Sequence, residues 1–186
     1  MPPAAPLQIL AVEPDGFDAF VAYLNGHLRD NGTDGDYFQP MPRADSRLPP
    51  EREAAWRAGL GIPVGTPGWR RLWIAGEAPH GAIAGHIDLR SHAQGFCGHR
   101  CLLGMGVERA QRRRGLGARL VVHAENWVRA TGAIDWIDLQ VLSGNGPAVR
   151  LYERCGFQRT GETADLFRID GASLASISMT KHVALP

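Results

Sequence analysis

No stretch of this sequence is apolar over the roughly 20 residues a helix needs to cross a bilayer. Its first residues, Met1-Pro2-Pro3-Ala4-Ala5-Pro6, have neither the basic nor the apolar region of a signal peptide. No membrane association is expected. Cysteine is scarce: Cys97, Cys101 and Cys155 are odd in number and form no Cys-x-x-Cys pattern. That argues against a disulfide framework and a thiolate metal site, and it predicts a reduced, cytoplasmic setting with no bound metal. An excess of one charge is lacking too. The net charge is +1, so nothing global draws the chain to nucleic acid or anionic lipid, and electrostatic specialisation has to be local. Internal repeats and low-complexity tracts are absent. What is present is an ordinary globular composition, 44% hydrophobic and 21% charged, in 186 residues, enough for one domain with its own core.

Leu7 to Val12 reads as a first strand, and Phe17, Phe20, Val21 and Leu24 then recur at helical spacing. Asn25 to Pro50, rich in Gly, Asp, Asn and Pro, reads as a long irregular loop. A second helix is expected over Pro50 to Leu60, with Pro and Glu suited to its first turn and Gly59, Gly61 and Pro63 to stop it. From Trp69 the texture changes. Arg71–Ala75 and Ile83–Leu89 predict two strands joined by a turn holding Gly76, Pro79 and Gly81. A polar loop, Arg90 to His99, leads to a third apolar run, Arg100–Val107. An amphipathic helix follows from about Gly115 to Ala130, its core stripe Leu116, Leu120, Ala124, Trp127 and Val128. Trp136–Val141 alternates as a strand, and a short helix with Pro147 near its start ends at Cys155 before Gly156. Phe157–Glu162 and Leu174–Lys181 supply two last strands. This order predicts one α/β domain with a mixed sheet and at least one parallel pair.

The segment Val107-Glu-Arg-Ala-Gln-Arg-Arg-Arg-Gly-Leu-Gly-Ala118 joins a strand to a helix. There the unpaired N–H groups and the positive end of the helix dipole face whatever lies beyond the strand. Gly115 and Gly117 let the backbone turn sharply and approach a ligand closely. A pyrophosphate suits such a place, because several amides converge on two phosphates, and Arg112, Arg113 and Arg114 add positive charge. The Gly-Lys-Ser/Thr ending of a P-loop is absent, as is the third glycine of a dinucleotide fingerprint. Taken alone, the loop is equally a solvated basic turn at a helix start.

Its context is more specific. Arg112-x-x-Gly115-x-Gly117, placed between a strand and an amphipathic helix, resembles the signature of the GNAT superfamily of N-acetyltransferases. Downstream, Asn145-x-x-Ala148-x-x-Leu151-Tyr152-x-x-x-Gly156-Phe157 is similar to that superfamily's other hallmark. The resemblance implies a single domain, residues 1–186, with a mostly antiparallel sheet, helices on both faces and one splayed parallel strand pair. It assigns 69–182 to the acetyl-CoA-binding core and 1–68 to the acceptor side. It implies acetyl-CoA as co-substrate, its pyrophosphate on the main chain of Arg112 to Ala118, with Leu116 and Gly117 between. Pantetheine is expected along the main chain of Met105 and Val107, with Gly104 and Gly106 fitting a bulged, closely approached strand. Asn145 is expected to contact pantetheine or cap its helix, and Ala148 to keep the helix small where the cofactor passes. The resemblance makes Tyr152 the general acid for the departing thiolate, its alternative being a tyrosine packed in the core. A homodimer is among the partner arrangements it implies.

The sequence departs from the pattern at one point. Many members carry a Glu on the strand before the loop, and Cys101-Leu102-Leu103-Gly104 has none. An ammonium with a pKa near 10.4 must lose a proton before it attacks a thioester, so a base has to come from elsewhere or from water. His86 and Asp88 share one face of the neighbouring strand and are candidates; Glu77 and His99, on loops, are weaker ones. Cys101 lacks a neighbouring base for acyl-cysteine chemistry and reads, like Cys155, as packing. Trp127 and Trp136 amid the basic residues suggest nucleic acid only weakly, since both fit core positions and Glu108, Glu125, Asp135 and Asp138 dilute the charge. The expected activity is acetyl transfer to a small-molecule or peptide amine. A CoA-binding regulatory module without turnover is the alternative.

Overall fold

The computed structural model describes residues 7–77 and 81–183. Pro79 of the expected turn, and Met1 to Pro6, lie outside them. The elements are β1 (Gln8–Ala11), α1 (Phe17–Leu28), α2 (Pro50–Gly61), β2 (Arg70–Gly76), β3 (Ile83–Arg90), β4 (Arg100–Val107), α3 (Leu116–Thr131), β5 (Trp136–Leu142), α4 (Gly146–Arg154), β6 (Gln158–Ile169) and β7 (Ala172–His182). The seven strands form one sheet in the order β1-β2-β3-β4-β5-β7-β6. Every neighbouring pair is antiparallel except β4–β5, which is parallel. The mixed, largely antiparallel sheet expected from the sequence is the one found.

Alternation on β2 shows how the two faces are filled. Trp73 and Ala75 join the core shared with Ile87, Leu89, Leu116, Leu120, Ala124 and Val128, beneath α3. Leu72 and Ile74 point the other way and pack with Phe17, Phe20, Leu24 and Trp56 of α1 and α2. Each fully buried aliphatic side chain in these stripes contributes about 1.5–3 kcal/mol of apolar transfer. The α3 stripe is the expected one with a substitution. Val121 is fully buried, whereas Trp127 is half-buried and lies edge-on to Trp73 at 5.3 Å between ring centroids.

Two elements are longer than the sequence suggested. Helix α1 continues through Asn25-Gly-His-Leu28 into the expected loop, because His27 and Leu28 extend its buried stripe past Leu24. The remaining loop is tightly organised around Asn31, which is wholly buried. Its Nδ2 donates to the Gln39 and Met41 carbonyls and to Ser46 Oγ, and its Oδ1 accepts from the Phe38 and Gln39 N–H groups. Strand β6 runs on to Ile169 rather than ending at Glu162, and it turns into β7 through Asp170 and Gly171 at φ 50° and 82°. The tip of this hairpin reaches the Asn31 loop. Asp170 Oδ2 accepts from the Tyr37 hydroxyl at 2.7 Å and from the Arg43 N–H at 2.9 Å.

Candidate active site

Strands β4 and β5 pair only at Arg100–Trp136, Cys101–Ile137 and Leu102–Asp138. The closed end is pinned on one face by Asp138, which accepts from Arg100 at 2.5 Å and from the Thr180 hydroxyl at 2.5 Å and contacts His92 Nε2 at 2.9 Å. Burial alone would raise the Asp138 pKa, and the bonds from Arg100 and Thr180 more than reverse that. Beyond Leu102 the strands separate, so main-chain groups on the β5 side of β4 have no partner in β5. An opening bounded by peptide groups is where an extended ligand can bond as a strand would.

The expected bulge at Gly104 and Gly106 is not there. The β3–β4 register runs without a shift from Gly85–Val107 to Arg90–Leu102. The glycines serve another purpose, since neighbouring side chains occupy the space their Cβ atoms would fill. Asp88 Oδ1 sits over Gly104, and at Gly106 a Cβ would meet His86 Cε1 at 2.5 Å and His27 Nε2 at 2.7 Å. Close approach is achieved by removing a side chain, not by inserting a residue.

After β4, a short turn at Arg109–Gln111 leads into the loop, where Arg113 and Gly115 take positive φ of 60° and 80°. Gly115 is the N-cap of α3, with no capping side chain. Among the described residues no acceptor is found for the N–H groups of Gly115, Leu116, Gly117 and Ala118. Four free amides at a helix N-terminus suit an anion, and Arg112, Arg113 and Arg114, all exposed, lie just before them in the chain. Arg112 Nε donates to the Val107 carbonyl at 3.1 Å. Leu116 is buried in the core, and Met105 and Val107 are half-buried on the opened arm of β4. A Cβ on Gly117 would meet Leu151 Cδ2 at 2.7 Å, so this glycine lets α3 and α4 close on each other and brings the two sequence motifs together. Asn145 Oδ1 accepts from the Ala148 N–H at 3.3 Å; of its two expected roles, the structure shows the cap.

Tyr152 lies on α4, buried, with its ring edge-on to Phe157 at 5.7 Å. Burial pushes its phenol pKa well above the usual range, and the charges of Cys155 and Asp88 add to the shift. The phenol therefore keeps its proton at neutral pH. The two base candidates part company. His86 is buried, and desolvation with the neighbouring His27 pushes it down to about 3. Asp88 is 2% exposed and paired through Oδ2 with the guanidinium of Arg70 and with Arg90 Nη1 at 2.9 Å. Arg70 in turn lies 3.7 Å from the Trp56 ring centroid. Burial drives the Cys101 thiol far up, fitting its place in the core, and raises Cys155 less. Glu77 and His99 fall on loops, as expected.

Sequence reasoning missed the groups that complete this face. Ile74, His86 and Gly106 form one row across the sheet, and Leu72, Asp88 and Gly104 the next. Over these rows α1 lays Tyr23 and His27. The Tyr23 hydroxyl is 3.1 Å from His86 Nδ1, and His27 Nδ1 is 3.1 Å from Glu108 Oε1. Phe38 of the Asn31 loop packs on His27 at 5.0 Å between ring centroids. The findable signal was the buried α1 stripe itself, where Tyr23 and His27 take core-facing positions four residues apart. Among the described residues, no group of three or more His, Cys, Asp or Glu is placed to hold a metal, and no helix is long and apolar enough to cross a membrane.

These features define a mixed α/β sheet split along one parallel pair, with an uncapped helix N-terminus following the opened strand. Residues 36–157 match the model of the acetyltransferase (GNAT) family, more than half of the chain, and the protein belongs to that family. Solved structures agree in fold. A GNAT-family acetyltransferase from Streptococcus pneumoniae superposes with a TM-score of 0.77 at 22% identity, covering 95% of this chain and 99% of that one. YncA, a putative acetyltransferase from Salmonella typhimurium solved with its cofactor acetyl-CoA, gives 0.76 at 17% identity over 97% and 95%. Spermidine N-acetyltransferase from Vibrio cholerae, in complex with CoA and spermine, gives 0.70 at 17% identity over 96% of each chain. No curated protein sequence matches.

Proposed function

We propose that this protein transfers an acetyl group from acetyl-CoA directly to a primary amine within a ternary complex. The observation that carries the reading is the continuity of the β4–β5 split after Leu102 with the four free amides at Gly115–Ala118. A pyrophosphate on those amides leaves room for an extended arm along Met105 and Val107, and the arm ends where Gly104 and Gly106 face Asp88, His86 and His27. The thioester, when bound, supplies an activated acyl carbon. The chain aligns it, excludes water and manages protons. Tyr152, kept protonated by burial, supplies the proton that the leaving thiolate takes. Residues 1–68 form the acceptor side, since α1 and the Asn31 loop place Tyr23, His27 and Phe38 over the opened arm.

Thiol release from acetyl-CoA, measured across a panel of spermidine, L-methionine, an aminoglycoside and a lysine-bearing peptide with a free N-terminus, tests this. Turnover with at least one amine is expected. Tyr152→Phe should lower kcat by about 100-fold with KM for acetyl-CoA little changed, in the general-acid range. CoA binding without turnover, unaltered by Tyr152→Phe, would instead make the protein a CoA-binding regulatory module.

A further inference from the structure

We propose that His27, held by Glu108, is the catalytic base that deprotonates the acceptor amine. The inference rests on the transferase reading above. His27 comes from α1, outside both sequence motifs, yet its Nε2 lies against Gly106, on the arm of β4 that has left β5. Its Nδ1 faces Glu108 Oε1 at 3.1 Å. A carboxylate is acceptor-only, so Nδ1 carries the hydrogen, and the lone pair of the neutral ring is on Nε2, toward the strand. That nitrogen has no partner among the described residues. Among the described residues the one unpartnered side-chain nitrogen or oxygen sealed from solvent is His123 Nε2, on α3, so His27 Nε2 keeps some solvent contact although its side chain is only 4% exposed. Glycine at 106 is what admits the ring, since any Cβ would displace it.

The other titratable groups on this face are less suited. His86 is fully desolvated and shares its Nδ1 with the Tyr23 hydroxyl. Asp88 is committed to Arg70 and Arg90. Around His27 stand Tyr23 and Asp30 from α1 and its end, His86 from β3, Glu108 after β4 and Arg112 from the loop. Burial lowers the His27 pKa and Glu108 opposes the fall, so the ring is neutral at physiological pH and its protonated form has a counter-charge beside it.

The protons balance as follows. The acceptor ammonium gives one proton to His27 Nε2, and the free amine forms the C–N bond as the C–S bond breaks. Tyr152 protonates the departing sulfur and recovers a proton from the newly bonded nitrogen. His27 then releases its proton to water. Glu108 touches neither substrate and acts as a positioning residue.

The test uses the full chain and whichever panel amine it acetylates fastest. His27→Asn is expected to lower kcat at least 100-fold, with CoA affinity by calorimetry and far-ultraviolet circular dichroism unchanged. It should also abolish the acid limb of kcat/KM. Added imidazole should restore part of the rate to His27→Ala. In Glu108→Gln the charge that raises the His27 pKa is gone, so the acid limb moves to lower pH while the plateau drops. A His27→Asn enzyme within threefold of wild-type kcat, or with its acid limb intact, overturns the assignment and leaves the transferase reading standing. Wild-type protein that acetylates no panel amine overturns both.

Discussion

The two sides of the β4–β5 split, assigned under the proposed function to donor and acceptor, are built from different materials. On the donor side the chemistry belongs to the main chain: free amides at Gly115–Ala118, unpaired peptide groups after Leu102, and a glycine, Gly117, that lets two helices touch. On the acceptor side it belongs to buried side chains: Tyr23, His27, His86 and Asp88, with Arg70, Arg90 and Glu108 as partners. Main-chain binding suits a ligand of fixed structure. Side-chain binding lets one fold take different acceptors by exchanging residues on α1, β3 and the loop after α1.

The contrast is sharpest in deletion. Asp88→Ala leaves Arg70 buried with its carboxylate gone, and removing one partner of a buried pair costs about 3–5 kcal/mol. Urea unfolding should show that loss, whereas Arg114→Ala, on the exposed donor loop, should stay within about 0.5 kcal/mol of wild type. Equal losses in the two variants would break the comparison.

Acid should weigh most on the side-chain face, although burial lowers the pKa of His123 on α3 as well. The unfolded His86 imidazole takes a proton near pH 6.5, and the folded one only near 3. Between those values the unfolded state binds more protons, so stability falls as pH drops, by roughly 1.4 kcal/mol per pH unit at most. His27 shifts the same way. Denaturation midpoints at pH 7.0, 6.0 and 5.0 should therefore decline, and His86→Gln should flatten the decline. A slope unchanged in that variant would place the acid-sensitive groups elsewhere.

The same division explains what the sequence disclosed. A helix that opens on free amides needs glycine at set distances from a strand end, so Arg112–Gly117 and Asn145–Phe157 marked the family in the sequence itself. Strand β4 was legible as the apolar run Arg100–Val107, and a parallel pair in the order of strands and helices. The proposed base comes from another helix and so leaves no spacing to find. His27 and Glu108 are 81 residues apart and meet only because α1 crosses β3 and β4. Glu108 was visible only as a charge diluting a basic patch, and His27 fell where the sequence suggested a loop. The glycines at 104 and 106 were identified as places of close approach, but the approaching groups are side chains of Asp88, His86 and His27 in an unbroken register. Strand β6 was underestimated because its residues are nearly all exposed, which leaves no alternation to mark its length.

The most direct test of the division is a calorimetric titration of CoA into two variants. In Gly115→Ala the φ of 80° becomes strained for a residue with a Cβ, although the space around it is open. The expected loss is about 1.4 kcal/mol of binding, a tenfold rise in Kd, while His27→Asn should bind CoA as wild type does. CoA affinity that survives Gly115→Ala and falls with His27→Asn would contradict the account.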